Sequence, residues 1–251
     1  MKFKVLFFAV VVLTIFASCD STEGFLAGDG YEFEDYTVYG AATTLVKEES
    51  GEIVYMTDDS LKLVPMYTIS AADSLLNQRY YVEFQIYQTI SSSTYEVNVV
   101  SVQYMFIENV SSIDDSSELD SYADDCITPI WVWGACNYVN LLCYIDASNE
   151  IQHNFYLVED KSSSTNDTIN FYIRHDNNDD ANGSTSKAAI SFDISSFVTN
   201  IADSVVLTFS VNDCTYGNYD MAITYKNSNN DDSGERESDE NNVVSAFIKS
   251  K

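Results

Sequence analysis

The chain has 251 residues, of which 39 are acidic and 12 are basic, and its formal net charge is -27. A polyanion of this size repels phosphate backbones and anionic headgroups, which excludes nucleic-acid binding and electrostatic adhesion to a membrane as main roles. Its hydrophobic content of 45% allows a buried core, and its many Tyr and Phe residues stand in short alternating stretches that are typical of β-strands. We therefore predict an all-β protein.

The N-terminal residues have the pattern of a secretion signal. Two lysines precede an apolar run at 5–16 that is too short to span a bilayer. The Phe16-Ala17-Ser18-Cys19 sequence resembles the bacterial lipobox, in which a peptidase cleaves before a cysteine that has received a lipid. We predict a signal peptide at 1–18, lipidation of Cys19 and a tether at 19–30. The alternative is an ordinary signal peptide cleaved near Ser18.

The predicted location is the outer membrane, facing either the periplasm or the cell exterior. Because anionic lipid repels a chain of this charge, the lipid on Cys19 would be its firm attachment. The acidic stretch at 20–23 also resembles the export signal that sends some Bacteroidetes-type lipoproteins to the outer face of the outer membrane. The expected partners are the membrane, through this anchor, and an envelope protein or glycan.

Strand-like alternation occurs in two groups of stretches. The first, with a helix-like insert at 71–76, predicts a small OB-like five-stranded β-barrel at residues 31–112. Its strands are expected at 36–46, 52–57, 61–64, 79–88 and 95–107. The second group predicts a β-sandwich at residues 128–226. Its strands are expected at 130–133, 138–146, 151–159, 168–175, 188–195, 204–211 and 218–226.

Two acidic segments lack the apolar alternation of a strand. Residues 113–127 contain six acidic side chains and no basic one, which favours a solvated linker over a calcium site. Residues 227–251 place further acidic side chains among Asn and Ser, which predicts a disordered acidic low-complexity tail. A weak final strand at 243–248 is the alternative for its end.

Several motifs, in chain order, resemble the NigD-like lipoproteins of Bacteroidetes-type bacteria. They include Asp58-Asp59-Ser60-Leu61-Lys62-Leu63-Val64-Pro65, Gln78-Arg79-Tyr80-Tyr81-Val82, Trp131-Val132-Trp133-Gly134, Phe171-Tyr172-Ile173-Arg174-His175 and Ser191-Phe192-Asp193-Ile194. The resemblance runs from Cys19 to about Lys226 and implies an OB-like N-terminal domain and a β-sandwich on a membrane-anchored lipoprotein. The family brings no established activity. Its association with a bacteriocin locus implies an immunity or secretion accessory role.

The sequence contains two histidines, and neither has the surroundings that catalysis needs. His153 shares its strand parity with apolar residues, which favours a core or edge position. His175 follows Arg174 at the mouth of a strand, before an Asp/Asn-rich loop, so this pair is a candidate ligand-binding site. Because no Gly-x-Ser-x-Gly elbow surrounds any Ser, we predict no catalytic residues.

Neither a metal nor a cofactor is expected. Asp176, Asn178 and Asp180 have the spacing that opens a calcium loop. The sixth position is Ala181 and the twelfth is Lys187, where such a loop requires Gly and Glu. An Asx-rich turn is the preferred interpretation, and a looser calcium site is the alternative.

Four cysteines remain besides Cys19, and an oxidising envelope would allow them to pair. They are Cys126, Cys136, Cys143 and Cys214, which permit three full pairings. Cys143 lies on the apolar face of its strand, so the alternative for this residue is a buried free thiol that forms no disulfide. The pairing cannot be chosen from the sequence.

Aromatic side chains are the last candidates for a binding site. Trp131 and Trp133 share one strand face, and we predict that they fill the sandwich core; an exposed platform for a sugar or peptide is the alternative. Tyr138 and Tyr144 share the outward parity of the next strand and are candidate ligand contacts.

Two functions are consistent with these features. The first is an envelope lipoprotein that binds a glycan, peptide or partner protein through loops of its β-domains, without catalysis. The second is a bacteriocin-associated immunity or secretion accessory factor that acts by protein contact. An enzyme is the least favoured reading.

Overall fold

The structure is a computed structural model that describes residues 38–135, 137–148, 151–180, 183–198, 204–226 and 247–249. Most of the regular structure in these ranges is β-strand, which confirms the all-β prediction. The chain divides after Tyr104 into two compact units. None of the helices in the described ranges is long and apolar enough to cross a membrane. The predicted signal peptide, Cys19 and the tether lie outside the described residues.

The first unit is a closed five-stranded barrel. Its strands are β1 (Tyr39–Lys47), β2 (Ile53–Thr57), β3 (Lys62–Pro65), β4 (Arg79–Ser91) and β5 (Thr94–Tyr104). They follow the order β1-β2-β3-β5-β4, and the barrel closes because β1 pairs with both β2 and β4. A 3₁₀ helix at Asp73–Leu75 replaces the expected helix-like insert. The predicted five-stranded OB-like barrel is therefore confirmed.

Alternating side chains fill the barrel. Val82 and Phe84 on β4 and Val97 on β5 point inward and are buried, because successive residues of a strand face opposite sides. The turn between β2 and β3 is fixed from β4, where Arg79 donates two hydrogen bonds of 2.6 and 2.7 Å to the carboxylate of Asp58. This buried ion pair joins two motifs of the family resemblance.

The second unit is a β-sandwich. Its elements are β6 (Phe106–Ile113), β7 (Thr128–Ala135), β8 (Tyr138–Ala147), β9 (Asn154–Asp160), β10 (Thr168–Asp176), β11 (Ser184–Asp193), α1 (Ser195–Val198), β12 (Ser204–Asp213), β13 (Gly217–Lys226) and β14 (Phe247–Lys249). One sheet has the order β6-β11-β8-β7 and the other β6-β9-β10-β12-β13-β14. Phe171, Phe192 and Phe209 lie in the core between them. The predicted sandwich is confirmed.

Strand β6 belongs to both sheets of the sandwich. Residues 106–109 pair with β11, and residues 110–113 pair with β9. A strand that passes from one sheet to the other makes a corner of the sandwich. The expectation of one barrel strand at 95–107 was therefore wrong, because the barrel ends at Tyr104 and a new strand begins at Phe106.

The sequence predicted that the acidic segment 113–127 is a linker between domains. The structure shows that it belongs to the second unit instead. The domain boundary lies between Tyr104 and Met105. The segment contains a 3₁₀ helix at Ser116–Ser121, in which Asp115 and Glu118 cap the exposed N–H groups as a capping box. Leu119 is buried against the sandwich. The carboxylates of Asp115 and Glu118 therefore accept local hydrogen bonds, and their charge does not unfold the segment.

Limited proteolysis can test this correction. Because the 116–121 helix is capped and Leu119 is buried, we expect cleavage within 113–127 to be at least tenfold slower than cleavage within 227–242. The fragments would be identified by mass spectrometry. Cleavage of the two segments at similar rates would contradict this expectation.

Residues 247–249 lie in the segment that was predicted to be a disordered tail. They form β14, which pairs antiparallel with β13. The tail prediction was therefore wrong at these three residues, which come closer to the alternative of a final strand. The rest of 227–251 lies outside the described residues.

Candidate functional site

Three loop segments meet at one end of the sandwich, and we call them the loop cluster: residues 122–127, 151–153 and 176–180. They lie before β7, before β9 and at the end of β10. Strand β10 brings Arg174 and His175 into this cluster on its opposite faces, since neighbouring residues of a strand alternate. The structure therefore joins the predicted Arg174–His175 pair to residues that the sequence did not connect with it.

Two histidines and one aspartate form a buried hydrogen-bonded chain in the cluster. Nδ1 of His153 lies 2.9 Å from Nε2 of His175, and Nε2 of His153 lies 3.2 Å from Oδ2 of Asp180. His175 is 3% exposed, and the side chains of His153 and Asp180 are 4% and 2% exposed. The ring of His175 also stacks on Phe155, with ring centroids 4.7 Å apart.

The end of this hydrogen-bonded chain that is farther from Asp180 is a ring nitrogen of His175. Nδ1 of His175 is buried without a hydrogen-bond partner in the described residues. Burial lowers the pKa of His175, and the neighbouring His153 lowers it further, while Asp125 and Asp176 oppose these effects. His175 is therefore held largely in its neutral form at pH 7.

The sequence made His175 a candidate ligand contact, whereas the structure places its side chain in a buried position. It shares the inward parity of Phe171 and Ile173 on β10, so its ring joins the buried side of the sheet. In this conformation the ring contacts His153 and Phe155 and leaves little surface for a ligand.

Arg174 is the cationic side chain of the cluster. Its guanidinium forms an ion pair with Asp124 and lies over the ring of Tyr172, 5.3 Å from the ring centroid. Its Nε is buried and has no hydrogen-bond partner among the described atoms. Arg174 thus ties segment 122–127 to β10, with part of its hydrogen-bonding capacity unused.

The turn at 176–180 is shaped by short polar side chains. Asn178 and Asp179 have left-handed backbones, with φ of 51° and 61°, which Asn and Asp tolerate better than other non-glycine residues. Asp176 and Asn177 accept hydrogen bonds from the backbone two residues onward. This is the Asx-rich turn that the sequence favoured, and it aims Asp180 inward at His153 and at the backbone N–H of Ser148.

The structure gives no support for the looser calcium site at this turn. Asp180 is turned inward, so it cannot join Asp176 around one exposed cation. The described residues contain no group of three or more His, Cys, Asp or Glu side chains that could hold a metal.

Segment 122–127 is fastened to two strands. Asp125 donates its backbone N–H to the carbonyl of His175, at 2.9 Å, and accepts the N–H of Asn177. On the other side, Cys126 forms a disulfide with Cys214 at the end of β12. The cluster is therefore held by covalent, ionic and hydrogen bonds.

The other cysteines have separate positions. Cys143 is a free thiol in the sandwich core, and burial raises its pKa to about 12, which makes it unreactive. Cys136 lies outside the described residues.

The aromatic candidates do not belong to the loop cluster. Tyr138 and Tyr144 are on β8, which is not a neighbour of β10, and they lie six positions apart, or about 20 Å along the strand. The prediction that Trp131 and Trp133 fill the core was wrong. A register shift between Pro129 and Trp131 accompanies a strand in which Val132 points into the core, and both Trp residues are only partly buried.

The Asp–His–His chain resembles part of a hydrolytic triad, yet the described residues lack its reacting end. A triad needs a hydroxyl or thiol hydrogen-bonded to the terminal ring nitrogen, and Nδ1 of His175 has no such partner there. The sequence analysis missed this hydrogen-bonded chain because it considered His153 separately from His175. The two histidines could have been connected by recognising that β9 and β10 form an antiparallel hairpin, which brings its two ends together.

Solved protein structures with a similar fold cover most of this chain. The chain is similar to a solved protein of unknown function from Bacteroides vulgatus ATCC 8482, with 15% identity, a TM-score of 0.60, and coverage of 80% of this chain and 96% of that one. It is also similar to a solved NigD-like immunity protein from Bacteroides caccae ATCC 43185, with 18% identity, a TM-score of 0.50, and coverage of 79% and 95%. At these identities the likeness concerns the fold. No curated protein sequence matches the chain.

A family model matches the sandwich directly. The NigD-like C-terminal beta sandwich domain matches residues 109–225, a range that includes most of β6 and ends within β13. The match includes the acidic segment 113–127, in agreement with the corrected boundary. The resemblance inferred from the motifs is therefore confirmed, and over residues 109–225 the chain is similar to the NigD-like C-terminal beta sandwich domain.

Proposed function

We propose that this chain is a lipoprotein of the outer membrane, anchored through Cys19, that binds a partner protein through the loop cluster without catalysing a reaction. The observation that carries the proposal is the way in which the cluster is fastened. Loops fixed on a rigid scaffold lose little conformational entropy when they bind, so they are suited to recognition. The anchor and the membrane rest on the sequence pattern at 1–19.

The charge of the cluster indicates the chemistry of the partner. Five aspartates lie in its segments, at positions 124, 125, 176, 179 and 180, and the nearby Arg174 is already paired with Asp124. Asp124 and Asp179 are exposed. A basic surface complements this face and would be attracted to it by the charge of the whole chain. We therefore favour a basic protein or peptide over a neutral glycan.

A second candidate function is immunity to a bacteriocin, with the toxin or its transporter as the partner. It is favoured by the similar Bacteroides caccae structure, which is described as a NigD-like immunity protein. Expression in a bacteriocin-sensitive strain would test it. Protection that requires Cys19 would support immunity, and unchanged killing would leave only the more general binding role.

Affinity capture from living cells tests the proposed function. The wild-type protein is compared with a double variant, Asp176→Asn and Asp179→Asn, which removes two charges and keeps side chains that can form the Asx turn. Because exposed charge pairs contribute up to about 1 kcal/mol each, we expect the double variant to capture three- to tenfold less partner than the wild type. The wild type should show a similar loss when the capture is done in high salt, which screens these charges. Cys19→Ala should separately abolish detergent partitioning of the protein.

The matched control is a double variant of the barrel, Asp73→Asn and Glu49→Gln, which removes the same charge from exposed positions. It should capture the partner as the wild type does. Equal loss in both double variants would mean that net charge alone attracts the partner. Full capture by the Asp176/Asp179 variant would contradict the role of the loop cluster.

A further inference from the structure

The hydrogen-bonded chain runs in the order His175–His153–Asp180, and it can hold only a limited number of protons. A hydrogen bond between two ring nitrogens requires one proton between them, and the contact between His153 and Asp180 requires another. The two neutral imidazoles and the carboxylate satisfy both bonds. One additional proton can also be accommodated, because His153 can become an imidazolium that donates to His175 and to Asp180.

A second additional proton cannot be accommodated. If both rings are cationic, Nδ1 of His153 and Nε2 of His175 are both donors, and two positive charges face each other across 2.9 Å with almost no solvent. The hydrogen bond is then lost and the charges repel, at a cost that grows in a medium of low dielectric constant. The rings would have to separate.

The bonds that depend on this chain fasten the loop cluster. Asp180 links His153 to the turn at 176–180, and the side chain of Asn178 donates to the carbonyl of Gln152. His175 holds segment 122–127, because its carbonyl accepts the N–H of Asp125. Separation of the two rings would therefore loosen all three segments together.

We propose that His153, His175 and Asp180 form an acid-sensitive latch that keeps the loop cluster closed at neutral pH and opens it when both imidazoles are protonated. The latch is a property of the cluster and does not depend on the identity of any partner. Nearby charged groups influence the pH at which the latch opens. Asp125 lies on the segment before β7 and Asp176 ends β10, while Arg174 is paired with Asp124.

The sign of the pH dependence follows from the lowered pKa of His175. In the unfolded or opened state this ring recovers its ordinary pKa near 6.5, so that state binds more protons than the closed state as the pH falls below 6.5. Closure is therefore fully stabilised above pH 6.5 and is weakened in acid. The loss continues until the pH has passed the lowered pKa of the closed state.

Hydrogen exchange on the full chain measures the opening. After correction for intrinsic rates, we expect the protection of the Asp125, Asn177 and Asp180 amides to fall at least tenfold between pH 7 and pH 5, because the open state then binds protons that the closed state excludes. The amides of β4 in the barrel should keep their protection. Constant protection of the three loop amides across this range would overturn the latch.

His175→Gln is the matched variant, since its amide occupies the position of Nε2 and can bond to His153 but cannot become cationic. We expect it to lose the acid-dependent step. If the step persists in this variant, a group other than His175 is the cause and the proposal is wrong.

Histidine-resolved NMR titration of the wild type gives a second test that needs no variant. The ring of His175 should gain its proton only in the acid range in which the loop amides lose protection. Protonation of His175 at its ordinary pKa near 6.5, without loss of loop protection, would also overturn the proposal.

Discussion

Removal of the Cys126–Cys214 disulfide is expected to lower the free energy of unfolding of the sandwich by about 4–5 kcal/mol. The two cysteines are separated by 88 positions, so the bridge closes a long loop and restricts the unfolded chain strongly. In the folded state it also fastens segment 122–127 to the end of β12. The variant with both Cys126→Ser and Cys214→Ser would be compared with the wild type by urea unfolding.

The Cys126/Cys214 variant should also lose amide protection in segment 122–127 before the rest of the sandwich. Cys143→Ala is the control, because it removes a buried thiol that forms no bridge. We expect that change to cost about 1 kcal/mol, as is typical of small core substitutions. A cost below 1 kcal/mol for the double serine variant would show that the disulfide does not stabilise the loop cluster.

Arg79→Met is expected to destabilise the barrel by about 3–5 kcal/mol. The substitution leaves the carboxylate of Asp58 without its bidentate partner, in a position where the side chain is only 9% exposed. The loss of an Arg partner from a buried carboxylate is costly because little water can replace it. Urea unfolding followed by exchange of the barrel amides would measure the loss.

Two further variants show whether burial causes the effect of Arg79. Lys62→Met breaks the more exposed Lys62–Glu48 pair, where the side chains are 24% and 30% exposed, and should cost less than about 1 kcal/mol. Arg79→Met combined with Asp58→Leu should recover most of the lost stability, because no charge is then left buried. Equal costs for Arg79→Met and Lys62→Met would refute the explanation.

Most of the fold could be predicted because each strand carries its own alternation. Val82 and Phe84 in the barrel and Ile190 and Phe192 in the sandwich reveal a buried face without any knowledge of their neighbours. The boundary at Tyr104 could not be found in this way. The apolar pattern continues across Met105 into β6, so only long-range pairing with β9 and β11 separates the two domains.

The acidic segment illustrates a second limit of sequence reasoning. Counting charges treats Asp115 and Glu118 as repelling neighbours, whereas in the structure they satisfy the N–H groups that begin a 3₁₀ helix. The spacing of a capping box was present in the sequence. Buried Leu119 supplied the apolar anchor that distinguishes this segment from a linker.

The candidate site was predicted only in part. Arg174 and His175 were identified from their place beside a polar loop, but the contact with His153 depends on the β9–β10 register, which sets Phe155 opposite His175. The burial of His175 follows its parity with Ile173. Asp180 could not be assigned to the site because two left-handed residues precede it and reverse the chain.

The central claim, recognition of a partner by the loop cluster, is tested most directly by photo-crosslinking in living cells. A photoreactive residue would be placed at Gln152, whose side chain is exposed in the cluster, and in a second protein at Tyr67, which is 74% exposed in the barrel. We predict that one partner protein is crosslinked from position 152 of the anchored chain, and that the same partner is weak or absent from position 67. Absence of a specific product at 152, or the same products from both positions, would contradict the account.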